Sequence, residues 1–195
     1  LAPIGDIKCI TGSDIAPYHI KSGNFIPTNV FKEFKKNMDI FLPNRILVRE
    51  TGDRFVATLE SEGIITTRSL YNVCLVNNSY SPSFILGILC SKLFRFYFRQ
   101  FIMPETKTFP KIRIAQLKKI PIAEMISEQH INIQFHISNL ANNLMSLNNQ
   151  FNETKLEIQR QQIQRTIDHT KKKIDELVYE LYGLTEKEIA IIEQN

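Results

Sequence analysis

Apolar and polar residues alternate in one part of the chain and follow helical spacing in another, so the pattern predicts two kinds of element. Residues 45–51 alternate like a half-buried strand, Thr51-Gly52-Asp53 supplies a turn, and residues 54–59 form the partner strand. Residues 64–76 are rich in β-branched and aromatic side chains, which again favours strands. Apolar residues recur at helical spacing from position 133 onward. The pattern therefore predicts an α+β protein.

A helix beginning at Ser81-Pro82 is predicted to be the buried centre of the mixed part. Serine is a favoured N-cap, and proline is favoured at the first helical position. The residues up to Phe98 are apolar around most of the helix, which is typical of burial against a sheet. A narrow polar stripe is expected to remain on one side, and it contains Ser91, Lys92, Arg95 and Arg99.

The C-terminal part is predicted to be an antiparallel helical hairpin. Two apolar seams have different registers, which favours two helices over one long rod. Their members are Ile133, Ile137, Leu140, Leu144, Leu147 and Phe151 in the first, and Leu156, Ile163, Ile167, Ile174, Leu177 and Leu181 in the second. We place the bend near Asn148-Asn149-Gln150 and expect Lys171–Lys173 to be solvated.

Local signals also predict how the hairpin ends. Gly183 is expected to cap the second helix in the left-handed conformation. Thr185 and Glu188 then form a capping box for a short last helix over residues 186–193. The predicted organisation is thus a small mixed α/β lobe with a buried helix, residues 1–126, followed by the helical hairpin and short helix, residues 127–195.

Charge separates the same two parts. Residues 1–120 contain 17 Lys and Arg against 9 Asp and Glu, a net charge of +8, whereas residues 121–195 contain 7 against 11, a net charge of −4. A basic lobe joined to an acidic helical segment indicates that the lobe binds a polyanion.

Duplex DNA is the expected polyanion, and ten cations of the lobe are its candidate ligands. Arginines around the Gly52 turn could enter a groove or bind phosphate, although solvated edge-strand charges and a solvated helix edge are the alternatives. The candidates are Arg45, Arg49, Arg54, Arg68, Lys92, Arg95, Arg99, Lys107, Lys111 and Arg113. Thr67, Ser69 and Asn72 are possible base readers, but strand residues of these types are more often structural.

Residues typical of catalysis are missing from the pattern. The glycines form no phosphate-binding loop, and the Asn-Pro-Pro-aromatic tetrapeptide of amino-methylating DNA methyltransferases is absent. Glu105-Thr106-Lys107 matches the end of a nuclease motif, but no Pro-Asp pair precedes it suitably. The four histidines lack metal-ligand spacing, so we predict no catalytic residue, metal site or cofactor within this sequence.

Cysteine spacing and hydropathy indicate the cellular compartment in which the protein is expected. Cys9, Cys74 and Cys90 form no C-x-x-C pair and are predicted to be reduced thiols of a cytoplasmic protein, with Cys74 and Cys90 in the core. No uncharged apolar run is long enough to span a bilayer, so no membrane association is expected. The first residue is not Met, and we expect a fragment of a longer polypeptide.

Three segments resemble a known family. Residues 49–78, RETGDRFVATLESEGIITTRSLYNVCLVNN, with the following FILGILCSKLFRFYF, resemble the TaqI-like C-terminal specificity domain of bacterial restriction–modification enzymes. FPKIRIAQLKKIPI (109–122) is similar to the segment that follows this domain there and in type I specificity subunits. KIDELVYELYGLTEKEIAIIE (173–193) resembles the C-terminal signature of type IIG-like fused methyltransferase–nuclease polypeptides.

The resemblance implies a target-recognition lobe on a helical support that binds duplex DNA at a short defined sequence. It also implies a separate catalytic domain that uses S-adenosylmethionine to methylate adenine. In some of these enzymes the parent polypeptide also cuts DNA, which would require Mg. That domain would be the partner of this chain, and the helices could support a dimer. Two alternatives stay open: a helical assembly module in which the basic lobe is incidental, and a self-contained nuclease or transferase.

Overall fold

The computed structural model describes residues 7–21, 23–29, 38–76, 78–102 and 111–194. Its α+β architecture confirms the predicted fold class, with small sheets at the N-terminal end and long helices at the C-terminal end. In chain order, the strands are β1 (Ile7–Ile10), β2 (Ile15–Ala16), β3 (His19–Ile20), β4 (Asn24–Ile26), β5 (Arg45–Arg49), β6 (Ala57–Glu60), β7 (Ile65–Thr66) and β8 (Leu70–Val73). The helices are α1 (Pro82–Leu89), α2 (Lys92–Tyr97), α3 (Ile114–Leu117), α4 (Glu128–Glu153), α5 (Glu157–Leu181) and α6 (Glu186–Glu193).

The strands form three small sheets. β6, β5 and β8 make an antiparallel sheet with β5 in the middle, while β4, β1 and β7 make a second sheet in which β1 and β7 run parallel. The third sheet is the antiparallel pair of β2 and β3. The predicted hairpin of β5 and β6 is confirmed, although β6 begins only at Ala57, because residues 50–56 form a wider connection than the predicted turn.

β5 is buried on both faces, which corrects the prediction of a half-buried strand. Ile46 and Val48 pack into the core that contains α1, while Leu47 points to the opposite side and packs with Ile10 and Leu70. Successive side chains of a strand point to opposite faces, so a strand packed on both sides has consecutive apolar residues, here Ile46, Leu47 and Val48.

The predicted buried helix is confirmed, but it is interrupted. Ser81 caps α1 by accepting a hydrogen bond from the amide of Phe84, as its sequence position predicts. Cys90 ends α1, and Ser91 is a second N-cap that accepts from the amide of Phe94 and begins α2. The run continues into a π-helical turn over Phe98–Ile102, so the predicted stripe lies mostly on α2 and that turn.

α4 and α5 form the hairpin and pack directly on the lobe. The chain reverses at residues 154–156, later than the predicted bend, because α4 continues through the asparagine-rich stretch. Asn148 and Asn152 donate side-chain hydrogen bonds to the carbonyls of Leu144 and Asn148, which fits them into the helix. Leu156, assigned to the second seam, is instead the exposed N-cap position of α5.

One hydrophobic core joins the lobe to the hairpin. Ile46 and Val48 of β5, Phe84 and Leu86 of α1, and seam residues of both long helices belong to the same buried cluster. Gly87 permits the close approach of α1 to α4, because an added Cβ would lie 2.4 Å from Cγ2 of Ile137. The boundary at residue 126 remains a prediction, and the apolar packing continues across it.

The C-terminal end follows the predicted local signals. Gly183 has φ +63°, and the amides of Gly183 and Leu184 donate to the carbonyls of Glu180 and Tyr179, which is the Schellman arrangement. Thr185 and Glu188 form the predicted capping box at the start of α6.

The three cysteines are free, as predicted, but Cys74 is exposed and not a core thiol. It follows β8, an edge strand, and lies between Val73 and Leu75, which pack against the core. Within the described ranges, no helix combines the length and apolar character needed to cross a bilayer.

Candidate nucleic-acid interface

A cleft of about 980 Å³ lies between the lobe and the helical hairpin, and its lining is rich in cations. The strands and connections of the lobe contribute Lys21, which follows β3, Arg49 at the end of β5, and Arg54 in the connection between β5 and β6. The helical elements contribute Lys92 and Arg95 of α2, Arg99 of the π-helical turn, and Lys171 and Lys172 of α5. Phe55 and Phe98 are aromatic residues of the same lining.

Five of the ten predicted DNA ligands meet in this cleft: Arg49, Arg54, Lys92, Arg95 and Arg99. They come from separate stretches of sequence, and the fold brings them together by packing α2 against α5 and the lobe. The position of α2 depends on Ser91, because a straight continuation of α1 would carry the following cations in a different direction.

These cations differ in their exposure and in their contacts with carboxylates. Arg54 is 81% exposed, and its Nε lies 3.6 Å from Asp53. Arg95 is exposed and forms no ion pair with a carboxylate in the part of the chain that the structure describes. Lys92 pairs with Glu193 of α6, which lowers the pKa of that carboxyl below its ordinary value.

Arg49 has its guanidinium committed to the fold. Its Nε donates to the carbonyl of Gly12 and its Nη2 to the carbonyl of Ile15, both at 2.7 Å. The side chain therefore fixes the turn between β1 and β2 against β5, and one edge of it lines the cleft.

Arg45 is not a surface ligand, which corrects its inclusion among the candidates. Its side chain is 1% exposed and pairs with Glu60 at 2.5 Å. It also donates to Asn72 and to the carbonyls of Phe41, Leu42 and Ile64. A guanidinium with this many internal acceptors and no accessible surface has no room for a phosphate.

The other candidates lie elsewhere. Arg68 and Arg113 are exposed but do not line the cleft, and Lys111 pairs with Glu50 at 2.9 Å. Lys107 and the Glu105-Thr106-Lys107 tripeptide lie outside the described residues. Ser69 and Asn72 are structural, since Ser69 accepts from the amide of Gly12 while Asn72 bonds Arg45 and Thr66.

The cleft also contains carboxylates. Asp53, Asp168, Asp175 and Glu193 line it together with eight Lys and Arg side chains. Burial raises the pKa of Asp175 to about 6, although a hydrogen bond from the amide of Lys92 opposes that shift. Cations outnumber carboxylates two to one, so the electrostatic character of the cleft is positive.

Three cations of the cleft were not among the predicted ligands: Lys21, Lys171 and Lys172. A signal for Lys171 was present in the sequence. It lies four residues after Ile167 and three before Ile174, the spacing of the apolar seam, so it is on the packed side of α5. A lysine in that register points toward a neighbouring element and not directly away from the protein.

Nothing in the described part of the chain resembles a metal centre, since no group of three or more His, Cys, Asp or Glu residues is placed to hold an ion. His130 contacts the carbonyl of Glu124, and His19 contacts Asn149 and Asn152. These histidines have structural hydrogen-bonding roles.

Comparison with known proteins gives a family match. No curated protein matches the chain significantly. The family model of the TaqI-like C-terminal specificity domain matches residues 7–122, which include every strand described above and α1 to α3. The match covers more than half of the chain, and we therefore identify this protein as a member of the TaqI-like C-terminal specificity domain family.

Proposed function

We propose that this chain is a non-catalytic module that recognises a short sequence of duplex DNA for a restriction–modification enzyme. The cationic cleft carries the proposal, because it gathers basic side chains from distant segments around one cavity in a domain of a specificity family. Phosphate contacts position a protein on DNA, whereas base contacts specify the sequence.

The physical basis of the proposal is counterion release. Each phosphate neutralised by Lys or Arg contributes about 0.9 to the slope of log affinity against log salt concentration. The exposed Arg54 and Arg95 both line the cleft, and neither side chain donates a hydrogen bond to another described residue, so both can approach phosphates. Arg99 shares the α2 side and adds to the same positive field.

We also propose a parent polypeptide of the type IIG-like class, related in its helical segment to type I specificity subunits. Residues 109–122 and 173–193 carry that resemblance, and the second segment lies beyond the matched family region. Such a parent would methylate adenine with S-adenosylmethionine, and its catalytic domain would be the direct partner of this chain. A methyltransferase must hold the duplex while the target base is flipped out, which gives a separate recognition module its purpose.

The test compares DNA affinity over a salt series for wild type and Arg54→Gln/Arg95→Gln. Glutamine keeps a polar side chain of similar reach but removes both charges. We expect weaker binding and a slope lowered by about 1.8, as for two lost phosphate contacts. Lys155→Gln/Lys173→Gln is the matched control, because both lysines are exposed and neither lines the cleft.

An unchanged slope in Arg54→Gln/Arg95→Gln would contradict the proposed interface. Sequence recognition is tested separately by selecting bound duplexes from a randomised library. Enrichment of one short motif is expected, and recovery of random sequences would contradict a specificity role. Incubation with plasmid, Mg and S-adenosylmethionine tests the absence of catalysis, since cleavage or methylation by the chain alone would contradict it.

A further inference from the structure

The long helix α5 contributes directly to the cationic cleft. Lys171 and Lys172 line it from the hairpin, together with six cations of the lobe. We infer that Lys171 and Lys172 bind the phosphate backbone of DNA, so that the helical hairpin forms a wall of the interface in addition to supporting the lobe. This inference rests on the proposed function, and it assigns DNA contacts to a segment outside the matched specificity region.

The packing of α5 fixes where these lysines point. Ile167 and Ile174 are buried on either side of them, at 2% and 1% exposure, so this stretch of the helix cannot rotate without opening the core. Lys171 lies at the matching position between the two isoleucines, at the edge of the packed seam. Its side chain is exposed and forms no ion pair with any described carboxylate.

Asp175 fixes α5 against α2. Its Oδ1 accepts a hydrogen bond from the amide of Lys92 at 2.7 Å, at the first residue of α2. Lys92 in turn pairs with Glu193 of α6, and Glu193 also accepts from the hydroxyl of Tyr179 on α5. These contacts fix α5 against α2, so that the lysines of α5 and Arg95 of α2 line the same cleft.

The carboxylates that α5 and α6 bring to the cleft have partners of their own and are outnumbered by its cations. Glu193 is held by Lys92 and Tyr179, Asp175 accepts from the amide of Lys92, and Asp168 accepts from the side chain of Gln164. Lys172 lies 3.6 Å from Glu176, but both side chains are exposed, and such a pair contributes little energy. A phosphate can therefore replace Glu176 as the partner of Lys172 at small cost.

Lys173 provides an internal control for the inference. It is the next residue of the same helix and has the same charge, but it does not line the cleft. A charge change at Lys173 alters the net charge of the protein as much as one at Lys171 does. A difference in DNA affinity between substitutions at the two positions therefore reports the position of the charge and not the net charge of the protein.

The experiment measures affinity for a duplex over a salt series for Lys171→Gln/Lys172→Gln, the control Lys155→Gln/Lys173→Gln, and Arg54→Gln/Arg95→Gln. Thermal unfolding by circular dichroism is recorded for each protein. We expect the Lys171→Gln/Lys172→Gln protein to unfold like wild type, to bind on the order of tenfold more weakly at low salt, and to lose about 1.8 from the slope. The control is expected to keep the wild-type slope.

Two results would overturn the inference. If Lys171→Gln/Lys172→Gln binds like wild type while Arg54→Gln/Arg95→Gln binds weakly, the hairpin is only a support and the proposed function stands. If the control loses as much DNA affinity as Lys171→Gln/Lys172→Gln does, Lys171 and Lys172 act through net charge and not through contact. Unchanged binding in all three proteins would contradict the proposed function itself.

Discussion

Arg45 and Glu60 face each other across the β5–β6 pair, with Arg45 Nη1 and Glu60 Oε2 2.5 Å apart and both side chains 1% exposed. Glu60 also accepts hydrogen bonds from the amides of Glu62 and Gly63, while Arg45 holds the carbonyls of Phe41 and Ile64. The pair thus connects the segment before β5 to the turn after β6. Its role is to fix the sheet and not to bind a ligand.

Replacing Arg45 by Met is expected to lower the free energy of unfolding by about 3–5 kcal/mol, because Glu60 would remain buried without a partner. The free energy of unfolding of Arg45→Lys is expected to lie between those of Arg45→Met and wild type, since one ammonium cannot reach all the acceptors of the guanidinium. Urea unfolding at neutral pH measures both. Arg68→Met is the control at an exposed site and should change stability by less than about 0.5 kcal/mol.

Asp175 is expected to make stability depend on pH. Its pKa is about 6 in the fold, raised mainly by burial, against 3.8 as the ordinary value. Between these values the folded state holds the proton and the unfolded chain does not, so the free energy of unfolding falls as pH rises from about 4 to 6 and then levels. Lys92 and Arg95 oppose this shift and Glu193 increases it.

Asp175→Asn removes the titrating group and keeps an oxygen that can accept the amide of Lys92. The substitution is expected to have little effect at pH 4 and to stabilise the protein by at most about 3 kcal/mol at pH 7. Unfolding curves of both proteins at pH 4, 5.5 and 7 provide the measurement. A stability difference that does not vary with pH would contradict this account of Asp175.

Gly87→Ala is expected to destabilise the protein by about 1–3 kcal/mol, although alanine favours a helix more than glycine does. The added Cβ would lie 2.4 Å from Cγ2 of Ile137, so α1 and α4 would have to separate. Ile137→Ala removes that methyl group. The double substitution should therefore cost less than the sum of the two single ones, and strict additivity in a thermal unfolding cycle would refute the contact.

Arg49 and Arg95 both line the cleft but should behave differently. Arg49→Gln loses two hydrogen bonds to backbone carbonyls and is expected to reduce stability by roughly 1–3 kcal/mol. Arg95→Gln is expected to leave stability nearly unchanged and to lower the salt slope by about 0.9. Combining urea unfolding with DNA titration separates the two roles, and equal effects on both quantities would be inconsistent with them.

Local features of the fold could be predicted from sequence because their causes are local. Ser81, Gly183 and Thr185 act on backbone groups within four residues, so their identities indicate the helix ends directly. The hairpin of β5 and β6 and the two apolar seams also follow from short-range periodicity. The same reasoning did not place the break at Ser91, since a serine inside a strongly apolar helical run does not by itself predict a second cap.

The partners of charged residues depend on tertiary contacts, and there the sequence was less informative. Arg45 was assigned to the surface because residues 45–51 alternate like a half-buried strand, which would place Arg45 on the solvent side. Pairing the strands symmetrically about Gly52-Asp53 would have placed it opposite Glu60, the register that the structure has. Lys171, Lys172 and Lys173 are exposed, as expected, but nothing short-range shows that α2 lies beside α5, so the place of the first two in the cleft could not be predicted.

The core shared by the lobe and the hairpin limits how recognition could be changed by grafting. A transplanted segment that ended at residue 126 would separate Phe84 and Gly87 from the complementary surface around Ile137 on α4. A foreign α1 with a different side chain in place of Gly87 would then collide with the host helix. Exchange of target specificity between relatives should therefore carry α4 along with the lobe.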